Sequence, residues 1–432
     1  MRESALRVAL FVHRYPPAVG GAELYAERLA TFCVEAGDDV TVWTSTAVEL
    51  SEMWFPPVSR EAAPSVDFPP VVAASLGMKS ALGSASRLTV RRFPPLTFPA
   101  RRYVLKTFSL VPVPAWQALT LPANPVCPGM WLAANRDSEP LDAVHAVAFP
   151  YSFPAACGLR LARRMRVPLL LTPFLHLGDP ANPRDLTRRQ YTSRPLRWLL
   201  RQADRVFVQT PTELRAVVDL GVPESRVVLQ GLGVDVSECT GGNRAAARAA
   251  WNVGNECVIG HLANASEEKG TCDLLRAVAE LTANVHVVLA GPEMPNFRRF
   301  WETYPLKHRV TRLGVLSDSA KRDFFAGIDV FALPSRSDSF GLVLLEAWAN
   351  GVPNVAYRAG GPADLIRDGF DGRLAPCGDV SALADALREL ATDPAKRTKF
   401  GDAGRARVPT EFCWAERLGL VRGVTESVRR PA

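Results

Sequence analysis

Short apolar runs alternate with amphipathic stretches along most of this 432-residue chain. Residues 6–12 are apolar, residues 22–36 carry apolar side chains at helical spacing, and residues 40–43 are apolar again. Short strands that are apolar on both faces are typical of parallel sheets covered by helices on each side. The alternation therefore predicts an α/β fold built from parallel strands.

The alternation occurs in two runs, separated by the polar, turn-rich segment SECTGGN at residues 237–243. Further strands are predicted at residues 142–147, 168–172, 205–209, 227–229, 257–261, 285–289, 310–312, 330–332 and 354–357. We therefore predict two Rossmann-like domains facing a cleft, residues 1–236 and 244–408, and a final helix in 409–432 that crosses back to the first domain. Ligands of such sheets bind at the carboxyl ends of the strands.

The positive charge of the chain, formally +7, is concentrated in one segment. No Asp or Glu occurs between Asp67 and Asp137, and aromatic residues and prolines are interleaved with the basic residues Lys79, Arg87, Arg91, Arg92, Arg101, Arg102, Lys106 and Arg136. This basic insertion, about residues 68–136, suits an anionic membrane surface. Arg91, Arg92, Arg101, Arg102 and Tyr103 are the candidates for contact with the acceptor or the membrane. A solvated loop is the alternative, and nucleic acid is not expected because no binding motif accompanies the charge.

Neither the N-terminus nor the cysteines indicate export. The apolar run at residues 6–12 contains Arg7 and is shorter than a secretory signal. The eight cysteines are far apart and include no C-x-x-C pair, which argues against disulfides and structural zinc. We expect a cytoplasmic protein, peripheral at most on the inner face of the membrane.

The stretch from Leu333 to Pro353 joins a predicted strand to a strongly apolar helix, whose N-terminus suits phosphates or sugar hydroxyls. Glu346 lies inside that helix, and a buried carboxylate is costly unless it is hydrogen-bonded. Vicinal ribose hydroxyls would satisfy its two oxygens; a core glutamate paired to Lys or Arg is the alternative. Asp338 precedes Glu346 by eight residues, about 12 Å of helix, which exceeds the carboxylate spacing of a glycosidase. Both acids are therefore predicted to bind ligand.

Other motifs surround this stretch in a definite order along the chain: YPPAVGGAE from Tyr15 to Glu23, TPFLH ending at His176, DRVFV from Asp204, GLGVD ending at Asp235, Lys269-Gly270, Gly351-Val352-Pro353, Gly360-Gly361-Pro362 and DGFDG ending at Gly372. Together with Asp338-x7-Glu346, they resemble the retaining family 4 glycosyltransferases of the GT-B fold over nearly the whole chain. Alone, His176 would be read as a structural histidine and Lys269 as a surface lysine.

The resemblance implies transfer of a hexosyl-type sugar, with retention, from a UDP- or GDP-sugar to a glycan or polyprenyl-linked acceptor. The nucleotide-sugar is a substrate, and neither a cofactor nor a metal is expected. The implied catalytic residues are His176, Lys269, Asp338 and Glu346. The implied donor-binding residues are Gly20, Gly21, His261, Ser339, Phe340, Gly341, Leu342 and Glu346.

Two positions depart from the family's pattern. Asp338 stands where the family usually has Glu, and a shorter side chain shifts the carboxylate. His261 stands where the family commonly has an arginine that binds phosphate, which predicts a weaker, pH-dependent ligand with a pKa near ~6.5. Two alternatives stay open: a nucleotide-sugar epimerase, which has a related architecture, and a non-catalytic partner subunit, which the two departures would suit. Turnover with and without acceptor would distinguish them.

Overall fold

A computed structural model describes residues 5–55, 86–147 and 149–430 of the chain. Its first sheet has seven parallel strands in the order β3-β2-β1-β4-β5-β6-β7. They are β1 (Arg7–Phe11), β2 (Asp39–Ser45), β3 (Leu88–Phe93), β4 (Ala143–Val147), β5 (Leu169–Thr172), β6 (Arg205–Val208) and β7 (Val227–Leu229). This order, which reverses direction between β1 and β4, is that of a Rossmann-like sheet.

The second sheet repeats the same order with six parallel strands, β10-β9-β8-β11-β12-β13. They are β8 (Cys257–Leu262), β9 (Val285–Ala290), β10 (Val310–Arg312), β11 (Val330–Leu333), β12 (Asn354–Tyr357) and β13 (Gly372–Ala375). The prediction of an α/β fold with two Rossmann-like sheets is therefore confirmed.

Helices connect the strands and cover both faces of each sheet. The first half contains α1 (Gly21–Glu35), α2 (Arg101–Phe108), α3 (Pro114–Thr120), α4 (Pro128–Arg136), α5 (Ser152–Met165), α6 (Leu186–Tyr191), α7 (Arg194–Gln202) and α8 (Pro211–Asp219). The second half contains α9 (Val236–Cys239), α10 (Arg244–Ala250), α11 (Thr271–Ala279), α12 (Pro295–Thr303), α13 (Asp318–Gly327), α14 (Leu342–Ala349), α15 (Gly360–Leu365), α16 (Val380–Thr392), α17 (Pro394–Glu411) and α18 (Trp414–Val428).

Polar side chains fix where many of these helices begin. Thr210 accepts a hydrogen bond from the backbone of Glu213 at the start of α8, and Asn243, Ser317, Asp379 and Asp393 act in the same way on α10, α13, α16 and α17. Such caps satisfy backbone N–H groups that have no partner inside the helix. The loops before these helices are thereby held in defined positions.

The basic insertion contains more structure than the sequence indicated. Its residues 88–93 form β3, an edge strand paired with β2 from Val40↔Leu88 to Ser45↔Phe93, and helices α2, α3 and α4 follow. All six residues of β3 are only partly buried, so the strand lacks the apolar signature of the others. Residues 68–85 of the insertion lie outside the described residues.

The last helix packs on the first domain, where α18 contacts α1. Arg422 on α18 forms a bidentate ion pair with Asp38, with Nε–Oδ2 and Nη2–Oδ1 distances of 2.8 and 3.1 Å. Asp38 is fully buried and also accepts a hydrogen bond from the backbone of Leu6. The contact therefore links the last helix to the start of the first strand.

In the part of the chain that the structure describes, none of the helices has both the length and the apolar character needed to cross a bilayer.

Replacing Arg422 by Ala should lower the free energy of unfolding by ~3–5 kcal/mol, because it leaves the Asp38 carboxylate buried without its counter-ion. Chemical denaturation followed by circular dichroism measures the change. Arg405, which pairs with Asp402 on the surface, provides the control, and Arg405→Ala should cost no more than ~1 kcal/mol. Equal effects of the two substitutions would contradict the importance of the buried pair.

Candidate active site

The candidate site lies where loops at the carboxyl ends of strands from the two sheets meet. The backbone N–H of Gly178, after β5, donates to Ser337 Oγ, after β11, at 3.0 Å. A second contact joins α8 to α15: Thr212 donates to Asp364 through its backbone N–H at 2.8 Å and through Oγ1 at 3.0 Å. The loops after β5 and β11 are therefore in direct contact, and the loop after β8 adjoins the loop after β11, since the backbone N–H of Arg336 donates to the carbonyl of Glu268 at 2.9 Å.

His176, Lys269 and Asp338 come together at this junction. Lys269 Nζ donates to Asp338 Oδ2 at 2.7 Å, and both side chains are largely buried. His176 comes from the other sheet; its ring centroid lies 4.9 Å from that of Tyr191, and it is close enough to Lys269 and Asp338 for both charges to act on its pKa. Three residues that are far apart in sequence thus form one cluster.

The charges of this cluster are fixed by burial and by the ion pair. Burial lowers the pKa of His176 to about 4, and the Lys269 ammonium acts in the same direction. Burial alone would raise the pKa of Asp338, but Lys269, His176 and its hydrogen bonds outweigh burial and hold that pKa below its usual value. At neutral pH, His176 is therefore a neutral hydrogen-bonding group and Asp338 an anion.

Glycines allow the loops to approach closely enough for this arrangement. Gly270 has a φ of +72°, and a Cβ there would lie 1.8 Å from the carbonyl oxygen of Pro334. A Cβ on Gly361 would lie 2.3 Å from the Cα of Phe340. The Lys269-Gly270 and Gly360-Gly361 motifs thus pack directly against the loop that carries Asp338, and no other residue fits.

Glu346 is buried on α14 and has one partner among the described residues. Lys321 Nζ on α13 donates to its Oε1 at 2.6 Å, whereas its Oε2 is buried with no hydrogen-bond partner. Burial raises the pKa of Glu346, and the Lys321 ammonium opposes that shift. Pairing of this glutamate to a lysine was the alternative interpretation of the sequence. The pairing accounts for one carboxylate oxygen and leaves the other without a hydrogen-bond partner.

The start of α14 contains the remaining predicted donor-binding residues. Gly341, with a φ of +95°, precedes the helix without a side-chain cap, and Leu342 is its first residue. The Phe340 side chain is buried in the core, and its backbone N–H donates to Asp338 Oδ1 at 3.3 Å. Ser339, between Asp338 and Phe340 in the sequence, is half-buried. Free N–H groups at this end can bind an anion.

His261 is not the phosphate ligand that the sequence predicted. Its ring is fully buried, with Nδ1 2.8 Å from the carbonyl oxygen of Ala332 and Nε2 2.9 Å from Thr271 Oγ1. Thr271 Oγ1 also accepts a hydrogen bond from the backbone of Ser266, so its proton points to Nε2, and Nδ1 carries the ring proton. Burial lowers the pKa of His261 to about 4. It is a neutral structural residue that ties the loop after β8 to β11.

The glycine loop after β1 contains an acidic residue whose role the sequence did not reveal. Glu23 is buried near the start of α1, with its Oε1 3.2 Å from His13 Nε2 and 2.7 Å from an Arg14 guanidinium nitrogen. Although burial opposes ionisation, the hydrogen bond with His13 and the Arg14 guanidinium lower its pKa to about 2. A Cβ on Gly20 would lie 2.3 Å from Glu23 Oε2, whereas Gly21 faces open space. Glu23 therefore anchors the loop.

The five residues proposed for acceptor or membrane contact have different environments. Arg91 pairs with Asp137 and lies 4.1 Å above the Trp43 ring, and Arg92 donates to the carbonyl of Pro16. Arg101 is buried and donates to the carbonyl of Asn124, so it is not available to a membrane surface, which corrects the membrane part of that prediction and leaves the acceptor part open. Arg102 and Tyr103 are exposed on α2. Lys79 of the same basic segment lies outside the described residues.

Two sequence profiles match the chain and together span most of it. Residues 243–407 match the family described as glycosyl transferases group 1. Residues 20–233 match the glycosyl transferase 4-like domain. Residues 234–242, between the two matches, overlap the polar segment 237–243.

Curated relatives match about half of the chain. The D-inositol 3-phosphate glycosyltransferases of Mycobacterium tuberculosis and Mycobacterium bovis are 34% identical over 227 residues, which are 49% of this chain and 46% of theirs. The chain thus matches less than half the length of these relatives.

Solved structures match the whole chain. The Anabaena protein HepE, in complex with UDP and glucose, superposes with a TM-score of 0.69 at 19% identity, covering 98% of this chain and 100% of that one. Sucrose-phosphate synthase of Thermosynechococcus elongatus superposes with a TM-score of 0.72 at 21% identity, covering 98% of each chain. With the two sheet topologies, these likenesses confirm the predicted GT-B fold.

The buried, neutral His261 should make the protein less stable in acid. Its pKa is about 4 when folded and ~6.5 when unfolded, so the unfolded chain binds the extra proton first as the pH falls. Stability from His261 is complete above ~pH 6.5, and between pH 7 and pH 5 the loss is about 2 kcal/mol. His261→Gln should show a correspondingly smaller loss in urea unfolding at the two pH values. An identical loss in wild type and variant would contradict this assignment.

Proposed function

This chain belongs to the glycosyl transferases group 1 family, and on that premise we propose that it transfers a hexosyl sugar from a nucleoside diphosphate to an acceptor with retention of configuration. The observation that carries the proposal is the convergence of His176, Lys269 and Asp338 from both sheets on one point of the cleft. The UDP and glucose in the HepE structure support a nucleotide-sugar donor.

The leaving diphosphate requires positive charge that is in place before the bond breaks. Lys269 supplies a full charge, and the uncapped start of α14, at Gly341 and Leu342, supplies N–H groups and a partial positive charge. The loop at Gly20 and Gly21 adds the start of α1 from the other side of the cleft. Such preorganised groups favour the transition state when their hydrogen bonds strengthen as negative charge develops.

Neutral His176 and ionised Asp338 are suited to hold the sugar. The neutral imidazole can hydrogen-bond to a sugar hydroxyl without adding charge, and the Asp338 carboxylate can accept from one. In the proposed transfer, the anomeric carbon loses its bond to the diphosphate oxygen and gains one to the acceptor oxygen on the same face. The acceptor's proton passes to the departing phosphate, so no side chain acts as the base.

Glu346 is proposed to bind the ribose of the donor. Its unpartnered Oε2 supports this role, because a buried carboxylate oxygen without a hydrogen bond is unfavourable and a ribose hydroxyl would satisfy it. Lys321 holds the other oxygen, so the carboxylate is oriented before the donor arrives.

The acceptor is proposed to be a glycan or a lipid-linked glycan, and the reaction to take place on the cytoplasmic face of a membrane. Exposed Arg102 and Tyr103 on α2, within a segment that lacks acidic residues, support contact with an anionic surface.

A thermal-shift screen against UDP, GDP and their hexose conjugates, followed by turnover assays, tests this function. We expect one nucleoside diphosphate to raise the melting temperature and its sugar to be consumed only with acceptor present. Conversion of the donor without acceptor would indicate an epimerase, and absence of both binding and turnover would indicate a non-catalytic subunit.

Glu346→Ala should reduce transfer by at least ~100-fold, because the ribose loses a charged hydrogen-bond partner and the donor is no longer held in the orientation that transfer requires. Lys321 is partly exposed and can hydrate its ammonium, so the fold should persist in circular dichroism. Glu302→Ala, at an exposed site on α12, should retain wild-type turnover. A folded Glu346→Ala protein with unchanged turnover would contradict the assignment.

A further inference from the structure

The first domain contains a large cavity that the proposed reaction has not yet used. Its volume is about 1060 Å³, and every residue that lines it belongs to the first domain. Cavities of this size accommodate ligands larger than one sugar ring. The cavity is therefore large enough to hold a substantial part of an acceptor.

Most of the cavity wall is apolar. Trp54, Phe98, Leu121 and several prolines and alanines form it, and no Asp or Glu is among its described lining residues. A pocket for a bare glycan would need hydrogen-bonding groups for many hydroxyls. This wall instead suits a hydrocarbon, because apolar surfaces gain stability when both are removed from water.

Two arginines give the cavity a positive charge without a carboxylate to balance it. Arg101 lines the wall, is 3% exposed, and pairs with no acidic residue in the described ranges; its contacts are the carbonyls of Asn124 and Pro122. Its Nε is buried with no hydrogen-bond partner. Arg102 also lines the cavity and is exposed to solvent. A buried cation without a counter-ion is costly, which favours an anionic ligand here.

The cavity also contains a hydroxyl group from another element. Ser193 lines the cavity at the residue before α7, but its Oγ does not cap the helix and is buried with no partner. The cavity therefore combines an apolar wall with two guanidinium groups and a free hydroxyl.

The cavity adjoins the proposed transfer centre. Tyr151 lines it and stacks on His13, with 4.4 Å between ring centroids, beside the glycine loop after β1. Gln190 and Ser193 flank Tyr191, whose ring packs on His176. The rim carries Phe55 and Tyr103, which are 65% and 74% exposed. An acceptor held here would reach the reacting sugar at one end and an apolar surface at the other.

We propose that this cavity binds the phosphorylated end of a lipid-linked acceptor, with the hydrocarbon against Trp54, Phe98 and Leu121 and the phosphate at Arg101, Arg102 and Ser193. This inference rests on the proposed function and gives its acceptor a chemical class, a hydrocarbon that bears a phosphate.

Calorimetric titration of the full chain with farnesyl phosphate, farnesol and inorganic phosphate tests the inference. Farnesyl phosphate should bind at one saturable site, at least ~10-fold more tightly than either fragment, because hydrogen bonds to charged groups and apolar burial act together. Arg102→Gln should weaken binding by about tenfold, since it removes one charged partner. Ala123→Phe should block binding, because its new ring fills space along the wall.

Arg136→Gln is the matched control, since Arg136 is exposed in the same basic segment but does not line the cavity. It should bind farnesyl phosphate like the wild type. All three variants should retain the nucleotide affinity of the wild type, because none of these residues lies in the donor site. Nucleotide binding and turnover are thus measured apart from lipid binding, so failure of the proposed function and failure of this inference are distinguishable.

Three results would overturn the inference. One is equal binding of farnesyl phosphate by wild type and Ala123→Phe; another is equal affinity for farnesol and farnesyl phosphate. The third is a pair of observations: wild type and Ala123→Phe sediment equally with phosphatidylglycerol vesicles, and farnesyl phosphate shows no saturable binding. That result would indicate that α2 is only a membrane-docking surface.

Discussion

The ion pair between Lys269 and Asp338 is the interaction around which the candidate site is arranged. Each partner sits on a loop at the carboxyl end of a strand, and the loops are tied by the backbone N–H of Arg336, which donates to the carbonyl of Glu268 at 2.9 Å. Taking both charges out of water is costly, and the attraction offsets that cost only while both partners remain in place. Gly270 and Gly361 allow the required approach, so the glycines and the charges depend on each other.

The same pair sets the protonation of the residue that faces it from the other sheet. His176 is held neutral by burial and by the Lys269 ammonium, although Asp338 acts in the opposite direction. The hydrogen bond between Gly178 and Ser337, which joins the loops after β5 and β11, fixes the distance over which these charges act. A site of this kind is preorganised, since its charges and hydrogen bonds are set by packing.

The sequence predicted the alternating strands and helices of the two sheets, and it predicted the site residues that lie together in one segment of the chain. Apolar strands such as β8 and β11 were found because burial on both faces leaves a visible pattern. The edge strand β3 was missed because its residues are only partly buried and include two consecutive arginines, Arg91 and Arg92. The sequence could not identify Lys321 as the partner of Glu346, since the two residues are 25 positions apart and lie on different helices.

At His261, the role expected from the family's sequence pattern differs from the role that the side chain has in the structure. The residue occupies the place of an expected phosphate-binding arginine, so the sequence suggested a weaker, pH-dependent phosphate ligand. In the structure, the shorter ring ends inside the domain, where Ala332 and Thr271 satisfy both nitrogens. The charge that such an arginine would bring is therefore absent. Lys269, paired with Asp338, remains as a cation at the junction.

The two halves of the cleft differ in how their cations are balanced, and this difference suits a transfer between two phosphate-bearing substrates. On the proposed donor side, Lys269 and Lys321 are each paired to a carboxylate. A diphosphate arriving there meets cations whose charge is already partly balanced, so directed hydrogen bonds add to the attraction of Lys269. On the proposed acceptor side, Arg101 and Arg102 have no acidic partner among the described residues. An acceptor phosphate would supply the missing charge, and its separation from the donor site would keep the two anions from competing for the same cations.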